Sequence, residues 1–166
     1  MKILLLKFRN IGDVLLSTPL VNNLRHHYPN AQIDFCVNKE TEAMLTLNPN
    51  LNKIITYDRI AIKSLTSIKR LWRELQFIRS FKKENYDVVI NLTSGDRGNL
   101  IAWISNATTR IGYSNKSWFF RKSLTHELPK QELRHTVDAS LDPLRLLNIP
   151  ISNKLVEIFW SLKDEQ

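Results

Sequence analysis

Short apolar runs alternate with longer stretches of helical spacing along most of the chain. The runs KILLLK, AQIDFCV, KIITY, YDVVINL and TTRIGY have the length of β-strands. Between them, apolar residues recur at steps of three and four, which is typical of amphipathic α-helices. The predicted strands are residues 2–7, 31–37, 53–57, 86–92 and 108–113, and the predicted helices are residues 11–28, 39–47, 64–84, 97–106 and 132–147.

This alternation predicts the fold class. Strands that alternate with helices are joined by right-handed crossovers and form a mainly parallel sheet with helices on both faces. We therefore expect an α/β fold with a doubly wound, mainly parallel, Rossmann-like sheet. The 166 residues are enough for one domain with a sizeable core, and we expect that domain to span residues 1–150.

One interruption falls inside the first predicted helix, at Ser17-Thr18-Pro19. Thr18 can cap a helix that restarts at Pro19, because proline is favoured in a first turn. Alternatively, Pro19 kinks one longer helix. Both interpretations are structural, and we assign the segment no chemistry.

Glycines and polar residues gather where the predicted strands end. In a doubly wound sheet, ligands bind at the carboxyl ends of the strands, where helix N-termini point. The sequence therefore predicts a ligand site at this edge of the sheet. The glycines are Gly12, Gly95, Gly98 and Gly112, and the polar candidates are Arg9, Asn10, Asp13, Thr93, Ser94, Asp96 and Arg97.

Asp13 has a structural and a functional interpretation. Aspartate is favoured at a helix N-cap or in a first turn, where its carboxylate meets unpaired amides and the positive end of the helix dipole. The same position can hold a general base at the mouth of a cleft. Gly12 would then let the backbone or a ligand approach closely.

The segment NLTSGDRGN, residues 91–99, also has a structural and a functional interpretation. Ser94-Gly95-Asp96 is typical of a turn followed by a helix cap. The functional alternative makes Arg97 an anion contact beside a helix N-terminus.

The charge is strongly basic and unevenly distributed. There are 24 Lys and Arg residues against 16 Asp and Glu, a net charge of +8, which favours an anionic partner such as nucleic acid, a membrane surface or a phosphorylated substrate. The stretch from Arg59 to Lys83 has eight basic residues and one acidic residue, Glu74. It is either a solvated outer face or a surface for a membrane or an anionic substrate. The eight are Arg59, Lys63, Lys69, Arg70, Arg73, Arg79, Lys82 and Lys83.

Several familiar sites have no counterpart in this sequence. Cys36 is the single cysteine, so an internal disulfide and a cysteine metal cluster are excluded. His26, His27, His126 and His135 lack metal-ligand spacing. Neither a G-x-G-x-x-G turn nor a G-x-x-x-x-G-K-[ST] loop occurs. We expect no metal, no cofactor and, without a signal peptide or an 18-residue apolar run, a cytoplasmic location.

The stretch ILLLKFRNIGDVLLSTPLVNNLRHHYPNAQIDFCV resembles the N-terminus of the ADP-heptose:lipopolysaccharide heptosyltransferases. It has that family's first strand, short Gly-Asp loop and proline-containing helix, in order. NLTSGDRGN followed by TTRIGY resembles more narrowly the third heptosyltransferase, which adds the branch heptose of the inner core. RHTVDASLDPLRLLNI is similar to the family's closing stretch before a second domain. The resemblance covers nearly the whole chain.

The resemblance implies an inverting glycosyltransferase of the GT-B type, with two Rossmann-like domains. Residues 1–150 would be the N-terminal, acceptor-binding domain, and residues 151–166 the start of the interdomain connection. The donor domain would be missing, so we expect the isolated chain to be inactive. Asp13 is implied as the catalytic base. The other candidates are assigned to the acceptor: Arg9, Asn10, Gly12, Thr93, Ser94, Asp96 and Arg97.

The implied partners are the lipopolysaccharide inner-core acceptor and ADP-heptose, bound through the missing domain. Peripheral contact with the cytosolic face of the inner membrane is expected, and nucleic acid is not. The alternative is a non-catalytic, basic α/β module that binds a nucleotide or nucleic acid. The absence of phosphate-binding loops counts against that alternative.

Overall fold

Six strands form one sheet in the computed structural model, which describes residues 1–114, 123–129 and 135–160. The spatial order is β3-β2-β1-β4-β5-β6, and every neighbouring pair is parallel. The first five strands confirm the predicted ones, and β6 adds a three-residue strand. The strands are β1 Lys2–Lys7, β2 Gln32–Asn38, β3 Lys53–Tyr57, β4 Val88–Asn91, β5 Thr109–Tyr113 and β6 His126–Leu128.

The strand order reverses at the middle of the sheet. From β1 the chain builds outward through β2 to β3, then returns to place β4 on the other side of β1. The crevice between the carboxyl ends of β1 and β4 is therefore the topological switch point, where ligands bind in folds of this type.

Helices cover both faces of the sheet. Two short 3₁₀ helices, Lys39–Met44 and Phe81–Glu84, complete the regular elements of the described ranges. The first replaces the predicted helix 39–47. The α-helices are α1 Ile11–Leu15, α2 Thr18–His27, α3 Arg59–Lys63, α4 Ser67–Ser80, α5 Asp96–Ile104, α6 Thr136–Ser140 and α7 Asp142–Leu146.

The alternation of β1 side chains explains the two cores. Ile3 and Leu5 lie in a cluster with residues of α2, whereas Leu4 and Leu6 lie in a second cluster with residues of α4 and α5. All four side chains are almost completely buried. Successive strand residues point to opposite faces, so a strand buried throughout requires a covering layer on each side. The doubly wound α/β prediction is confirmed.

The first predicted helix is two helices, divided at Leu16 and Ser17. Ser17 is the N-cap of α2, and Pro19 lies in its first turn. The Ser17 hydroxyl donates to the main-chain oxygen of Asp13 at 2.7 Å, and the Thr18 hydroxyl donates to that of Leu15 at 2.9 Å. The restart interpretation is thus correct, with the cap one residue earlier than predicted. The break leaves α1 as a five-residue helix at the ligand edge.

The predicted helix 64–84 becomes the 14-residue α4 and the following 3₁₀ turn. Ile78 and Phe81 are buried in the second core cluster. Ile68, Leu71 and Trp72, nearer the helix start, are exposed instead. The apolar spacing therefore predicts the helix correctly, although only its C-terminal end packs on the sheet.

Residues 132–147 form α6 and α7 in their described part; residues 132–134 and 161–166 lie outside the described residues. Residues 151–160 have no regular secondary structure and run along α2. The Asn23 amide donates to the main-chain oxygen of Asn153 at 2.8 Å, and the Glu157 amide donates to the Thr18 hydroxyl at 3.1 Å. No helix within the described ranges is long and apolar enough to cross a membrane.

Candidate functional site

Two polar loops meet beyond the carboxyl ends of β1 and β4. The Phe8 amide donates to the Thr93 hydroxyl at 2.8 Å, and the Arg9 guanidinium donates to the Ser94 hydroxyl. These contacts join segments that are 85 residues apart in sequence. The structure therefore brings together three of the predicted site residues, Arg9, Thr93 and Ser94, at the switch point.

Asp13 lies in the first turn of α1 beside these loops. The N-cap is Asn10, whose side chain makes no capping hydrogen bond, so the N-cap interpretation of Asp13 is wrong and the first-turn position is correct. Asp13 is half-buried, while Asn10 and Gly12 are exposed. Apart from its two neighbours in sequence and the backbone of α1, no heavy atom lies within 4 Å of the position that a Gly12 Cβ would take. The edge beside Asp13 is thus open to an incoming molecule.

Lys7, which sequence reasoning did not select, lies directly below this edge. It is only 3% exposed, and its ammonium donates to the main-chain oxygen of Leu92 at 3.1 Å. Burial lowers the pKa of Lys7, and the neighbouring Asp13 carboxylate opposes that shift. A buried ammonium therefore lies within electrostatic range of the candidate base. The available signal was a lysine at the carboxyl end of a strand whose interior is apolar.

Arg97 is held by a second cluster on the same side of the sheet. Its guanidinium donates to the Glu74 carboxylate and to the Tyr57 hydroxyl, both at 2.9 Å, and stacks 4.1 Å from the centre of the Tyr57 ring. The Tyr57 hydroxyl also donates to Glu74. Burial and this hydrogen bond raise the pKa of Tyr57 to about 12. Arg97 thus has protein partners, and its role as an anion contact stays a prediction.

Basic residues surround that cluster. A cavity of about 140 Å³ opens beside Arg97, and its lining carries four basic side chains and one acidic side chain. It shares Asn38 and Arg59 with a cavity of about 410 Å³ that reaches Arg9, Asn10 and Gly12. We call the two cavities together the basic groove. The smaller one is lined by Phe8, Asn38, Tyr57, Arg59, Lys63, Arg70, Glu74 and Arg97.

A buried amide network fixes the junction between β4 and α5. The Asn91 amide donates to the Asn99 side-chain oxygen at 2.9 Å, and the Asn99 amide donates to the Tyr113 main-chain oxygen at 3.1 Å. Asn91 in turn accepts from the Thr93 amide at 3.0 Å. A Cβ on Gly98 would lie 2.2 Å from the Asn91 side chain. The bond from Thr93 to Asn91 fixes the start of the loop that carries Ser94. Sequence reasoning selected Gly98 but neither asparagine.

The remaining candidates occupy the turn into α5. Gly95 has a φ of 137°, a conformation that glycine adopts most readily, and Asp96 is the first residue of the helix. Cys36 is buried, and burial raises the pKa of its thiol. Within the described residues, no group of three or more His, Cys, Asp and Glu side chains could hold a metal ion.

Known proteins share this sequence and fold. Lipopolysaccharide heptosyltransferase 3 of Escherichia coli is 30% identical over 141 residues, which are 83% of this chain and 40% of that protein. The glycosyl transferase family 9 structure from Veillonella parvula has a TM-score of 0.80 at 23% identity, covering 98% of this chain and 45% of that one. The chain thus spans less than half the length of either relative. No family model matches it.

A second solved structure supports the same fold. The E. coli heptosyltransferase WaaC with ADP-2-deoxy-2-fluoro heptose has a TM-score of 0.77 at 15% identity, covering 95% of this chain and 51% of that one. At this level of identity, the likeness concerns the fold alone. The predicted Rossmann-like architecture of GT-B type enzymes is confirmed.

Proposed function

We propose that this chain, which is similar in sequence to lipopolysaccharide heptosyltransferase 3 of E. coli, forms the acceptor-binding part of a lipopolysaccharide heptosyltransferase. The reaction would transfer heptose from ADP-heptose to the inner core of lipopolysaccharide. The observation that carries the proposal is the contact at the switch point between Phe8 and Arg9, which lead into the Gly12-Asp13 helix, and the Thr93-Ser94 loop, beside the basic groove. In the proposal, residues 1–150 bind the acceptor, and residues 151–166 lead toward a donor-binding domain.

Asp13 is the proposed general base. Its carboxylate takes the proton from an acceptor hydroxyl while that oxygen bonds to the anomeric carbon of the donor. The bond from this carbon to the phosphate oxygen breaks on the opposite face, and ADP leaves with the electron pair. One displacement inverts the anomeric centre and needs no covalent intermediate. General-base assistance of this kind is worth ~10²–10⁴-fold in rate.

The acceptor would lie across the two loops and enter the basic groove. Asn10, Thr93, Ser94 and Asp96 offer hydrogen-bonding groups to its sugar hydroxyls. Phosphates and acidic sugars of the inner core would be balanced by the basic side chains, because guanidinium groups bind such oxyanions strongly. These basic side chains are Arg9, Arg59, Lys63, Arg70 and Arg97.

Calorimetry on this chain tests the proposal. Deacylated inner-core oligosaccharide should bind saturably and more weakly as salt rises, because exposed charges are screened within about 8–10 Å at physiological salt. ADP should not bind, because the proposal places donor recognition in residues outside this sequence. Tight, saturable ADP binding, or duplex DNA binding with a steep salt slope, would instead favour the nucleotide- or nucleic-acid-binding alternative.

The variant Gly12→Ala distinguishes an effect on acceptor binding from an effect on the stability of α1. Apart from the two neighbours in sequence and the backbone of α1, no heavy atom lies within 4 Å of the new Cβ, and alanine is a better helix former than glycine by roughly 0.5–1 kcal/mol. We expect unchanged or slightly higher stability in urea unfolding and weaker oligosaccharide binding by calorimetry. Wild-type affinity in this variant would mean that the acceptor does not approach Gly12.

The variant Lys7→Met tests whether the buried Lys7 ammonium makes the stability of the protein depend on pH. Because burial lowers the pKa of Lys7 below 10.5, the folded state binds fewer protons than the unfolded state between the lowered pKa and 10.5. The Lys7 contribution to the free energy of unfolding therefore rises with pH across that window. We expect wild type to gain stability relative to Lys7→Met as pH increases toward 10.5, measured by urea unfolding. Parallel pH profiles for the two proteins would contradict this.

A further inference from the structure

Asn38 is a buried asparagine whose side-chain amide has no partner among the described residues. It ends β2 at the ligand edge and is only 8% exposed. It is also the N-cap of the 3₁₀ helix Lys39–Met44, yet its side chain makes no capping hydrogen bond. Its Oδ1 atom is enclosed without a hydrogen-bond donor, and no described residue bonds its Nδ2 atom. A buried amide without partners lowers stability, so the fold alone does not account for an asparagine here.

The position of Asn38 is the place where the two cavities of the basic groove join. Asn38 and Arg59 line both cavities, and we call this pair of residues the groove neck. In the sheet, Asn38 lies opposite Tyr57, whose hydroxyl accepts from Arg97. Arg59 is the first residue of α3, and its guanidinium has no ion pair or hydrogen bond with the described residues. The groove neck therefore presents an amide and a guanidinium that both lack protein partners.

These two side chains define the chemistry of a ligand at the groove neck. A guanidinium binds the oxygens of a phosphate or a carboxylate. A carboxamide both donates and accepts hydrogen bonds, which matches a sugar hydroxyl, since a hydroxyl also does both. The broad χ2 torsion of asparagine allows either amide atom to face the cavities. The matching ligand is a sugar unit with an oxyanion and a neighbouring free hydroxyl.

We propose that Asn38 is a specificity-determining residue, which binds a hydroxyl of an acidic sugar whose oxyanion is bound by Arg59. This inference deepens the proposed function and rests on it for the identity of the acceptor. The basic side chains of the groove attract any polyanion, whereas Asn38 adds a requirement for a hydroxyl beside the charge. A site built to bind a hydroxyl rejects ligands that lack it, because its polar group is then left without a partner.

An NMR titration with small probes tests this requirement. The isotope-labelled chain is titrated with glucuronic acid and with glucose 6-phosphate, which offer a carboxylate or a phosphate beside free hydroxyls. Glucose lacks the oxyanion, and methyl phosphate lacks the hydroxyls. We expect saturable shifts of the Asn38 side-chain amide with at least one acidic sugar, at an affinity at least about tenfold above that of glucose or methyl phosphate. The acidic sugar that binds more tightly identifies the oxyanion as carboxylate or phosphate.

The variant Asn38→Leu distinguishes recognition from a structural role. Leucine has a similar size but no polar atoms, so urea unfolding should show unchanged or higher stability. Affinity for the acidic sugar should fall at least about tenfold, while methyl phosphate should bind within about twofold of wild type because Arg59 remains.

The variant Asn48→Leu is the matched control. Asn48 is 6% exposed and also has an enclosed amide atom without a partner, Nδ2, but it lines neither cavity of the basic groove. Its Oδ1 atom accepts from the Asn50 amide at 2.9 Å. We therefore expect Asn48→Leu to lose stability and to bind the acidic sugar within about twofold of wild type.

Three results would overturn the inference. The first is that neither acidic sugar shifts the Asn38 amide, and the second is that Asn38→Leu binds the acidic sugar as wild type does. The third is a clear loss of stability in Asn38→Leu, which would make the amide a structural group. Acidic-sugar binding at Asn38 without binding of deacylated inner-core oligosaccharide would count against the proposed function and leave this inference intact.

Discussion

Asp13→Asn is expected to lower turnover of the full-length enzyme ~10²–10⁴-fold, because asparagine cannot accept the proton of the acceptor hydroxyl. The fold should be kept. Asp13 lies in the first turn of α1 and is not its N-cap, and interactions of a carboxylate at such positions are worth about 1 kcal/mol or less. Turnover with saturating ADP-heptose and acceptor, together with urea unfolding, separates the loss of the base from loss of structure.

Asp58→Asn is the matched control for that experiment. Asp58 is the N-cap of α3 and accepts a hydrogen bond from the Ala61 amide at 2.9 Å. Asparagine caps helices about as well as aspartate, so turnover should stay close to wild type. If Asp13→Asn retains turnover within a few-fold, Asp13 is not the base, and Asp96 becomes the next candidate to test.

Gly98→Ala is expected to destabilise the protein by about 2–4 kcal/mol. The new Cβ would lie 2.2 Å from the Asn91 side chain, so Asn91 must move and break its bond to Asn99 within a buried network. Overpacking typically costs about 1–3 kcal/mol, and an unsatisfied buried polar group costs a similar amount. Urea unfolding measures the loss.

Gly12→Ala is the control for the loss of stability expected in Gly98→Ala. Both glycines lie in the first turn of a helix at the ligand edge, but only Gly98 lacks space for a methyl group. A stability change below about 0.5 kcal/mol in Gly98→Ala, within the range of ordinary surface substitutions, would show that the junction of β4 and α5 relaxes without cost.

Most of the fold can be predicted from local patterns in the sequence. Five strands are recognisable because each is an apolar run of the right length, and their alternation with helices dictates parallel pairing. The strand β6 has three residues, His126–Leu128, and is too short to show a period. At the split between α1 and α2, the Ser17 and Thr18 hydroxyls bond main-chain oxygens, whereas the sequence pattern allowed either a split or a kink.

Only part of the candidate site can be predicted from the sequence. Polar residues after β1 and β4 are visible, and parallel strands place their carboxyl ends at one edge of the sheet. The adjacency of β1 and β4 depends on strand order, which periodicity does not determine. The contacts of Arg97 with Glu74 and Tyr57 join positions 23 and 40 residues away. Such pairings arise from tertiary packing and leave no local signal.

The acceptor site at the ends of β1 and β4 is tested most directly by an NMR titration of the isotope-labelled chain with deacylated inner-core oligosaccharide. We expect saturable amide shifts concentrated in residues 8–14 and 93–98, with smaller shifts at Arg59, Lys63 and Arg70 along the basic groove. ADP and duplex DNA should leave the same amides unchanged. Oligosaccharide shifts that avoid both loops, or equal shifts with ADP, would contradict an acceptor site at the ends of β1 and β4.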